Sequence, residues 1–429
     1  MNFLTNEVVL ENLSNIIAAG FISFIISFLV VPWVGKLAYS IGAIDLPAKM
    51  RKITDRSRAS RINEGIKPKL GGLAVLIAVF ITVIIANPQF ALNTEVFIRP
   101  AGIIVGILVI GLVGYLDDKY EISGFYQLLG HAFAAVVLIY FGIAIPDSIN
   151  ILGQSIDLNT YQRFFDFGSF EYLFVFPSHI ITIVWVVMII NFINWVGGVD
   201  GLNISITSII AFTMLLFALS TSNIPLAILI SIHIGANLGL LPYNYYPSHI
   251  IPGGIGDYLN GYMIAVFALL GDTRWTITII ILALPVIDAL IVIWGRMQTH
   301  PEVKKNPLKL LSISDTNHLH HRLMAAGYSR KAVLLIEVAL ISVICSIAVY
   351  FGINTSSADA ADQLITAFTI AMAVLLVIFT SVFVLKEKKV KQRTQRQVVL
   401  PMEEKEAVVK VILEDDSDDK EKDYERFAY

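Results

Sequence analysis

Apolar stretches long enough to cross a bilayer recur along the whole chain, and they set the fold class before any single residue is considered. The run AGIIVGILVIGLV (101–113) belongs to one of about eleven such stretches, each crossing needing roughly twenty mainly apolar residues. They centre on 14–36, 71–87, 101–116, 127–146, 174–194, 202–220, 223–241, 261–271, 276–295, 331–352 and 362–385. The eighth, GYMIAVFALLG, is short and bounded by glycine, so a broken or tilted helix is expected there. At 56% hydrophobic and 15% charged, the composition excludes an ordinary soluble domain, in which about a quarter of residues carry charge. The expectation is an all-α, polytopic membrane protein with about eleven transmembrane helices over 1–396, followed by an acidic, disordered cytoplasmic tail over 397–429. The first stretch is too long and too poorly flanked to be a cleaved signal peptide.

Charge placement orients the helices. The segment 46–70 carries eight Lys/Arg (Lys49, Arg51, Lys52, Arg56, Arg58, Arg61, Lys67, Lys69) against Asp55 and Glu64. Arg296, Lys304, Lys305, Lys309, Arg322 and Arg330 follow the ninth stretch, and KEKKVKQRTQR follows the eleventh. Basic loops stay cytoplasmic. All three follow odd-numbered stretches, which places the N-terminus outside and the C-terminus inside. The longest outer segment, 147–173, contains INILGQSIDL and FDFGSFEYLF, whose alternation predicts a small β-hairpin. The lone Cys345 excludes an intrachain disulfide and a cysteine metal site.

The polar segments fall on the same side as the basic loops. LDDKYEISG follows the third stretch and NFINWVGGVDGLN the fifth, bringing Asn191, Asn194, Asp200 and Asn203. LPYNYYPSHIIPGGIGDYLNG follows the seventh with Asn244, His249 and Asp257, and SDTNHLHHRLMAAG follows the ninth. Carboxylates, amides, histidines and basic groups gathered on one membrane face suit a phosphate-rich ligand held through Mg²⁺ or Mn²⁺. Mg²⁺ typically takes one or two protein carboxylates and completes its shell with water and phosphate oxygens. Such a cation would also answer the repulsion between the adjacent carboxylates of Asp117 and Asp118. Taken singly, each feature has a plainer reading: a solvated helix end for the aspartates, a polar loop for the histidines, a topology signal for the basic segment. His131 and His233, alone in apolar stretches, read as structural. Asp288, inside LPVIDALIV, reads as functional because a carboxylate within a span needs a reason to be there.

In order, DLPAKMRK, PKLGG, LDDKYEI, NFINWVGGVDGL, LPYN, PVIDALIVIWGR and DTNHLHHRLMAAG resemble the polyprenyl-phosphate N-acetylhexosamine-1-phosphate transferases, relatives of phospho-N-acetylmuramoyl-pentapeptide transferase. The resemblance runs from about 45 to 330, and D-x-x-H-x-H-H looks like the branch that uses UDP-N-acetylglucosamine-type donors. It implies a reaction in which polyprenyl phosphate attacks the β-phosphorus of a UDP-sugar and releases UMP, the first membrane step of cell-wall or surface-polysaccharide assembly. The implied partners are polyprenyl phosphate, a UDP-sugar and the bilayer of the plasma membrane, with a homodimer compatible and nucleic acid not expected. By the same resemblance, Asp117 and Asp118 match the catalytic aspartate pair near the cation. Asn194 and Asp200 match positions lining the nucleotide and metal, Asn244 joins the substrate positions, and His318, His320 and His321 match the cluster that meets diphosphate or sugar. Lys69, Arg51 and Lys52 lie where basic residues meet phosphates.

The sequence departs from the family pattern at three points. Gly197 stands where N-x-x-D-G-x-D-G has a carboxylate, Gly254 where G-D-x-G-S has its cation-binding aspartate, and Thr54 where R-K-x-H has histidine. Asp257, three residues past Gly254, is the available substitute and completes the expected metal set of Asp117, Asp118, Asp200 and Asp257. Two other readings stay open on these residues: a catalytically degenerate relative that binds lipid phosphate, nucleotide sugar or a partner protein, and a transporter whose broken eighth helix and Asp288 line a pathway.

Overall fold

The computed structural model of the chain describes residues 6–46, 65–86, 94–151, 154–166, 171–271, 275–299 and 318–354. Arg51, Lys52 and Thr54, the eleventh apolar stretch and the tail over 397–429 lie outside them. The described elements are α1 (Glu7–Ile41), β1 (Ile44–Asp45), β2 (Lys67–Pro68), α2 (Gly71–Ala86), α3 (Thr94–Tyr120), α4 (Gly124–Tyr140), β3 (Ser148–Ile151), β4 (Gln154–Asp157), β5 (Asn159–Asp166) and β6 (Glu171–Pro177). After these come α5 (Ser178–Val196), α6 (Leu202–Ser220), α7 (Ile224–Asn244), α8 (Gly253–Leu270), α9 (Trp275–Ile281), α10 (Ala283–Thr299), α11 (Leu319–Ala325) and α12 (Arg330–Asn354).

The chain is a largely helical, multi-pass membrane protein, and the described residues carry fewer full-length spans than the eleven stretches expected over the whole chain. Among the described residues seven helices are long and apolar enough to cross a membrane. The second and fourth stretches form helices of 16 and 17 residues. The ninth is split into α9 and α10 around Leu282. Pro285 accounts for the split, because its ring clashes with the carbonyl four residues back, that of Ile281, and it brings no N–H to bond it.

The eighth stretch is continuous rather than broken. α8 begins at Gly253, eight residues earlier than its apolar run, and stays helical to Leu270. It packs against α2, α3, α5, α6 and α7, and nearly all its residues are buried. Small residues permit that approach. A Cβ on Gly72 would overlap the backbone nitrogen of Gly256, and one on Gly114 would come within 2.5 Å of Ile255 Cα. Deeper in the bundle, Asn237 Nδ2 donates to Asn260 Oδ1 at 2.9 Å and Asn260 Nδ2 donates to Asn203 Oδ1 at 2.8 Å. These amide bonds tie α7, α8 and α6 together where water cannot substitute.

The single hairpin expected over 147–173 is also revised. Two antiparallel ladders, β3–β4 and β5–β6, fill the connection from α4 to α5. A third, β1–β2, joins Asp45 to Lys67 and brings the basic segment back beside the start of α2.

Candidate active site

The two adjacent carboxylates at the end of α3 find different partners among the described residues. Asp118 is buried, and its Oδ1 and Oδ2 accept the N–H groups of Gly254 at 2.7 Å and Ile255 at 3.3 Å. Those N–H groups belong to the first turn of α8, so Asp118 caps that helix from another element and faces its positive dipole end. Asp117 is half-buried; its Oδ1 accepts from Gln127 Nε2 at 2.7 Å and its Oδ2 from the Tyr258 hydroxyl at 3.0 Å. His131 packs edge-on against the Tyr258 ring at 4.7 Å, which fixes that hydroxyl from behind. Lys69 is an electrostatic neighbour of both aspartates and pairs with Glu121 at 3.6 Å.

Asp257 completes the cluster. Its Oδ2 lies where a side chain on residue 197 would start, 2.9 Å from an ideal Cβ on Gly197. It therefore fills the space left by Gly197, not the one left by Gly254, whose own Cβ would stand 3.2 Å from Asp117 Oδ2. Asp257 Oδ1 is buried without a hydrogen-bond partner, and Asp118 lies within electrostatic reach. Among the described residues no three His, Cys, Asp or Glu side chains form a preformed metal cluster. A Mg²⁺-type site needs only one or two carboxylates, and the orphaned oxygen of Asp257 with the half-buried carboxylate of Asp117 fits that requirement.

Asp200 is held by other partners. Both its oxygens bond Lys67 Nζ, at 3.0 and 3.2 Å, and Oδ2 also accepts the Ser248 N–H at 3.1 Å. Lys67 further donates to Ser248 Oγ at 2.6 Å. In this structure the compensating charge of Asp200 is thus a lysine. Asn244 is likewise committed to the scaffold: buried, it accepts the Gly201 N–H and donates to the Ile250 carbonyl, both at 2.9 Å. Asn194 is half-buried in the last turn of α5, beside Gly197.

The histidines form a second wall. His318 and His320 stack with parallel rings 5.6 Å apart, and His321 lies 4.4 Å from His320. His320 packs directly on Gly198, where any Cβ would collide with its ring. Burial, and then the neighbouring His321 and His318, hold the His320 imidazole well below the usual histidine range, so it is neutral. Trp195 lies 6.0 Å from His318 and carries the Arg296 guanidinium over its own ring at 5.1 Å. Gly197 and Gly198 therefore join the carboxylate cluster to the histidine wall.

Lys67, Gln127 and Tyr258 were not among the sequence candidates for partners of the aspartates. Lys67 had been visible only as one of eight cations, and Tyr258 only as an aromatic next to Asp257.

The glycosyl transferase family 4 profile matches residues 100–272, which covers α3 to α8 and the aspartate cluster. The chain is 29% identical over 344 residues to a probable undecaprenyl-phosphate N-acetylglucosaminyl 1-phosphate transferase of Bacillus subtilis, spanning 79% of this chain and 85% of that protein. It is 27% identical to a decaprenyl-phosphate N-acetylglucosaminephosphotransferase of Mycolicibacterium smegmatis, over 74% of this chain and 77% of the relative. A phospho-N-acetylmuramoyl-pentapeptide-transferase of Streptococcus thermophilus is 29% identical over a shorter part, 50% of this chain and 61% of the relative. The profile match, these relatives and the motif order agree: the chain is similar to glycosyl transferase family 4 and, within it, to the polyprenyl-phosphate sugar-1-phosphate transferases.

Proposed function

We propose that the chain transfers an N-acetylhexosamine-1-phosphate, of the N-acetylglucosamine type, from a UDP-sugar to polyprenyl phosphate at the cytoplasmic face of the plasma membrane, releasing UMP. The observation that carries this reading is the convergence of Asp117, Asp118, Asp257 and Lys69 where α3 ends and α8 begins, in a chain similar to enzymes named for that transfer. Phosphoryl transfer asks a protein mainly for positioning and charge neutralisation. Asp117, fixed by Tyr258 and Gln127, orients the acceptor phosphate and holds its proton. Asp118 acts one step back by fixing the first turn of α8 and so the position of Asp257. Lys69 meets a phosphate oxygen, and the neutral imidazole of His320, braced on Gly198, offers a hydrogen bond without adding charge. Mg²⁺ or Mn²⁺, which Asp257 and Asp117 would hold, supplies neutralisation of the diphosphate when bound. Arg51 and Lys52 are assigned to phosphate contacts by their place in the motif order.

Nothing in the fold favours the transporter reading, since the eighth helix on which it rested is continuous and packed on several sides. The experiment is UMP release by purified protein given Mg²⁺, polyprenyl phosphate and a panel of UDP-sugars. Release is expected with UDP-N-acetylhexosamines and not with UDP-muramoyl-pentapeptide. Failure to release UMP from every donor overturns the proposal.

A further inference from the structure

Asp288 is a carboxylate among the sequence candidates that the reaction just described does not use. It sits in α10 and is buried, and a carboxylate at such a position persists only with strong partners. Its two oxygens grip consecutive residues at the start of α11. Oδ2 lies 2.8 Å from His318 Nδ1, and Oδ1 accepts the Leu319 N–H at 2.8 Å. One side chain therefore caps α11 and fixes the orientation of the His318 ring.

A carboxylate can only accept at this contact, so His318 Nδ1 must carry the hydrogen. In the neutral ring that leaves the lone pair on Nε2. We infer that Asp288 is a positioning residue for His318, holding it in the Nδ1–H tautomer so that Nε2 presents a lone pair that accepts a hydrogen bond from a protonated group of the substrate. The inference rests on the proposed function only for the identity of that group. The ring is confined on its other sides by His320 and Trp195, with the Arg296 guanidinium beyond the indole. The charged and titratable groups around the pair are thus His320 and His321 on α11, Arg296 on α10 and Glu337 on α12. Glu337 is buried, has an unpartnered Oε1 and lies within electrostatic reach of Asp288.

Asp288→Asn separates positioning from folding. The amide oxygen can still accept the Leu319 N–H, while its NH₂ group donates to His318 Nδ1 and forces the hydrogen onto Nε2. Histidine labelled with ¹⁵N reports the tautomer directly, and His318→Gln identifies the His318 signals by their loss. The expected result is an Nδ1–H tautomer in the unaltered protein, an Nε2–H tautomer in Asp288→Asn, and an unchanged thermal midpoint. Turnover in Asp288→Asn should fall about 10²-fold, the scale of losing one positioned hydrogen-bonding group, with KM little changed. An Nε2–H tautomer in the unaltered protein, or a tautomer that Asp288→Asn leaves in place, overturns the inference. If no donor yields UMP, the function is wrong while the tautomer measurement still decides this point.

Discussion

Asp257 and Gly197, sixty residues apart in sequence (257 less 197), share one space: the carboxylate of the first fills the volume where the side chain of the second would begin. The relationship is reciprocal, so it predicts how substitutions combine. Gly197→Asp should set two carboxylates against each other and leave one without a partner, destabilising the protein by about 1–3 kcal/mol. Adding Asp257→Ser should recover most of that loss. Thermal midpoints of the single and double variants in one detergent check it. Equal destabilisation with and without Asp257→Ser would show that the two positions do not compete.

Lys67 and Asp200 form a pair with 12% and 5% of their side-chain surface exposed. Removing one member of such a pair strands the other charge, at about 3–5 kcal/mol. Lys67→Met should therefore be more damaging than Lys67→Met with Asp200→Asn, which buries no net charge. The same variants test whether Asp200 serves a metal. Stabilisation of the folded protein by added Mg²⁺ should survive in the double variant, and its disappearance there would assign Asp200 to the metal.

Much of the fold was readable because it rests on local apolar length, and the order of the polar segments pointed to the aspartates and histidines that Gly197 and Gly198 bring near each other. The start of α8 was not readable. IPGGIGDYLN looks like a loop, since glycine is a poor helix former, and the carboxylate that caps it comes from Asp118, 136 residues upstream. Lys67 was hidden among its neighbours because its partner Asp200 is 133 residues away. Pro285 offered the opposite case: the break between α9 and α10 is a local rule, and the apolar continuity of the stretch concealed it.

The buried His320 predicts an acid-sensitive fold. Its imidazole is held below the usual range in the folded protein, whereas the unfolded chain takes up the proton near pH 6.5. A group with a depressed folded pKa contributes stability above its unfolded value and loses it as pH falls. The expected slope is at most about 1.4 kcal/mol per pH unit below pH 6.5 from this residue. His320→Asn should flatten the thermal midpoint between pH 5 and 6.5 relative to the unaltered protein. A slope unchanged by that substitution assigns the acid sensitivity elsewhere.

Orientation follows from the basic segments. Residues 46–70, the cations after the ninth stretch and KEKKVKQRTQR should all face the cytoplasm. Reporter fusions after residue 385 should be active as cytoplasmic markers, and an N-terminal tag should be accessible from outside the cell. An exterior reporter after residue 385 reverses the topology and moves the site to the wrong face for a cytoplasmic UDP-sugar.

Tyr258 and Asp117 give the closest test of the site itself. The hydroxyl donates to Asp117 Oδ2 at 3.0 Å from a ring that is almost fully buried and braced by His131. Tyr258→Phe keeps the ring and its packing while removing one hydrogen bond to a charged group, an effect of about 1.5–3 kcal/mol. If that bond orients Asp117 for the transfer, turnover should drop about tenfold to a hundredfold with the thermal midpoint nearly preserved. Asp117→Asn should cost more, about 10²-fold or beyond, because it removes the charge and not only its orientation. The two effects should not add. Once Asp117 is an amide, Tyr258 has no carboxylate to hold, so the double variant should turn over no more slowly than Asp117→Asn alone. Full additivity in UMP release would mean that Tyr258 acts on the substrate independently, and the hydrogen bond would then be incidental to catalysis.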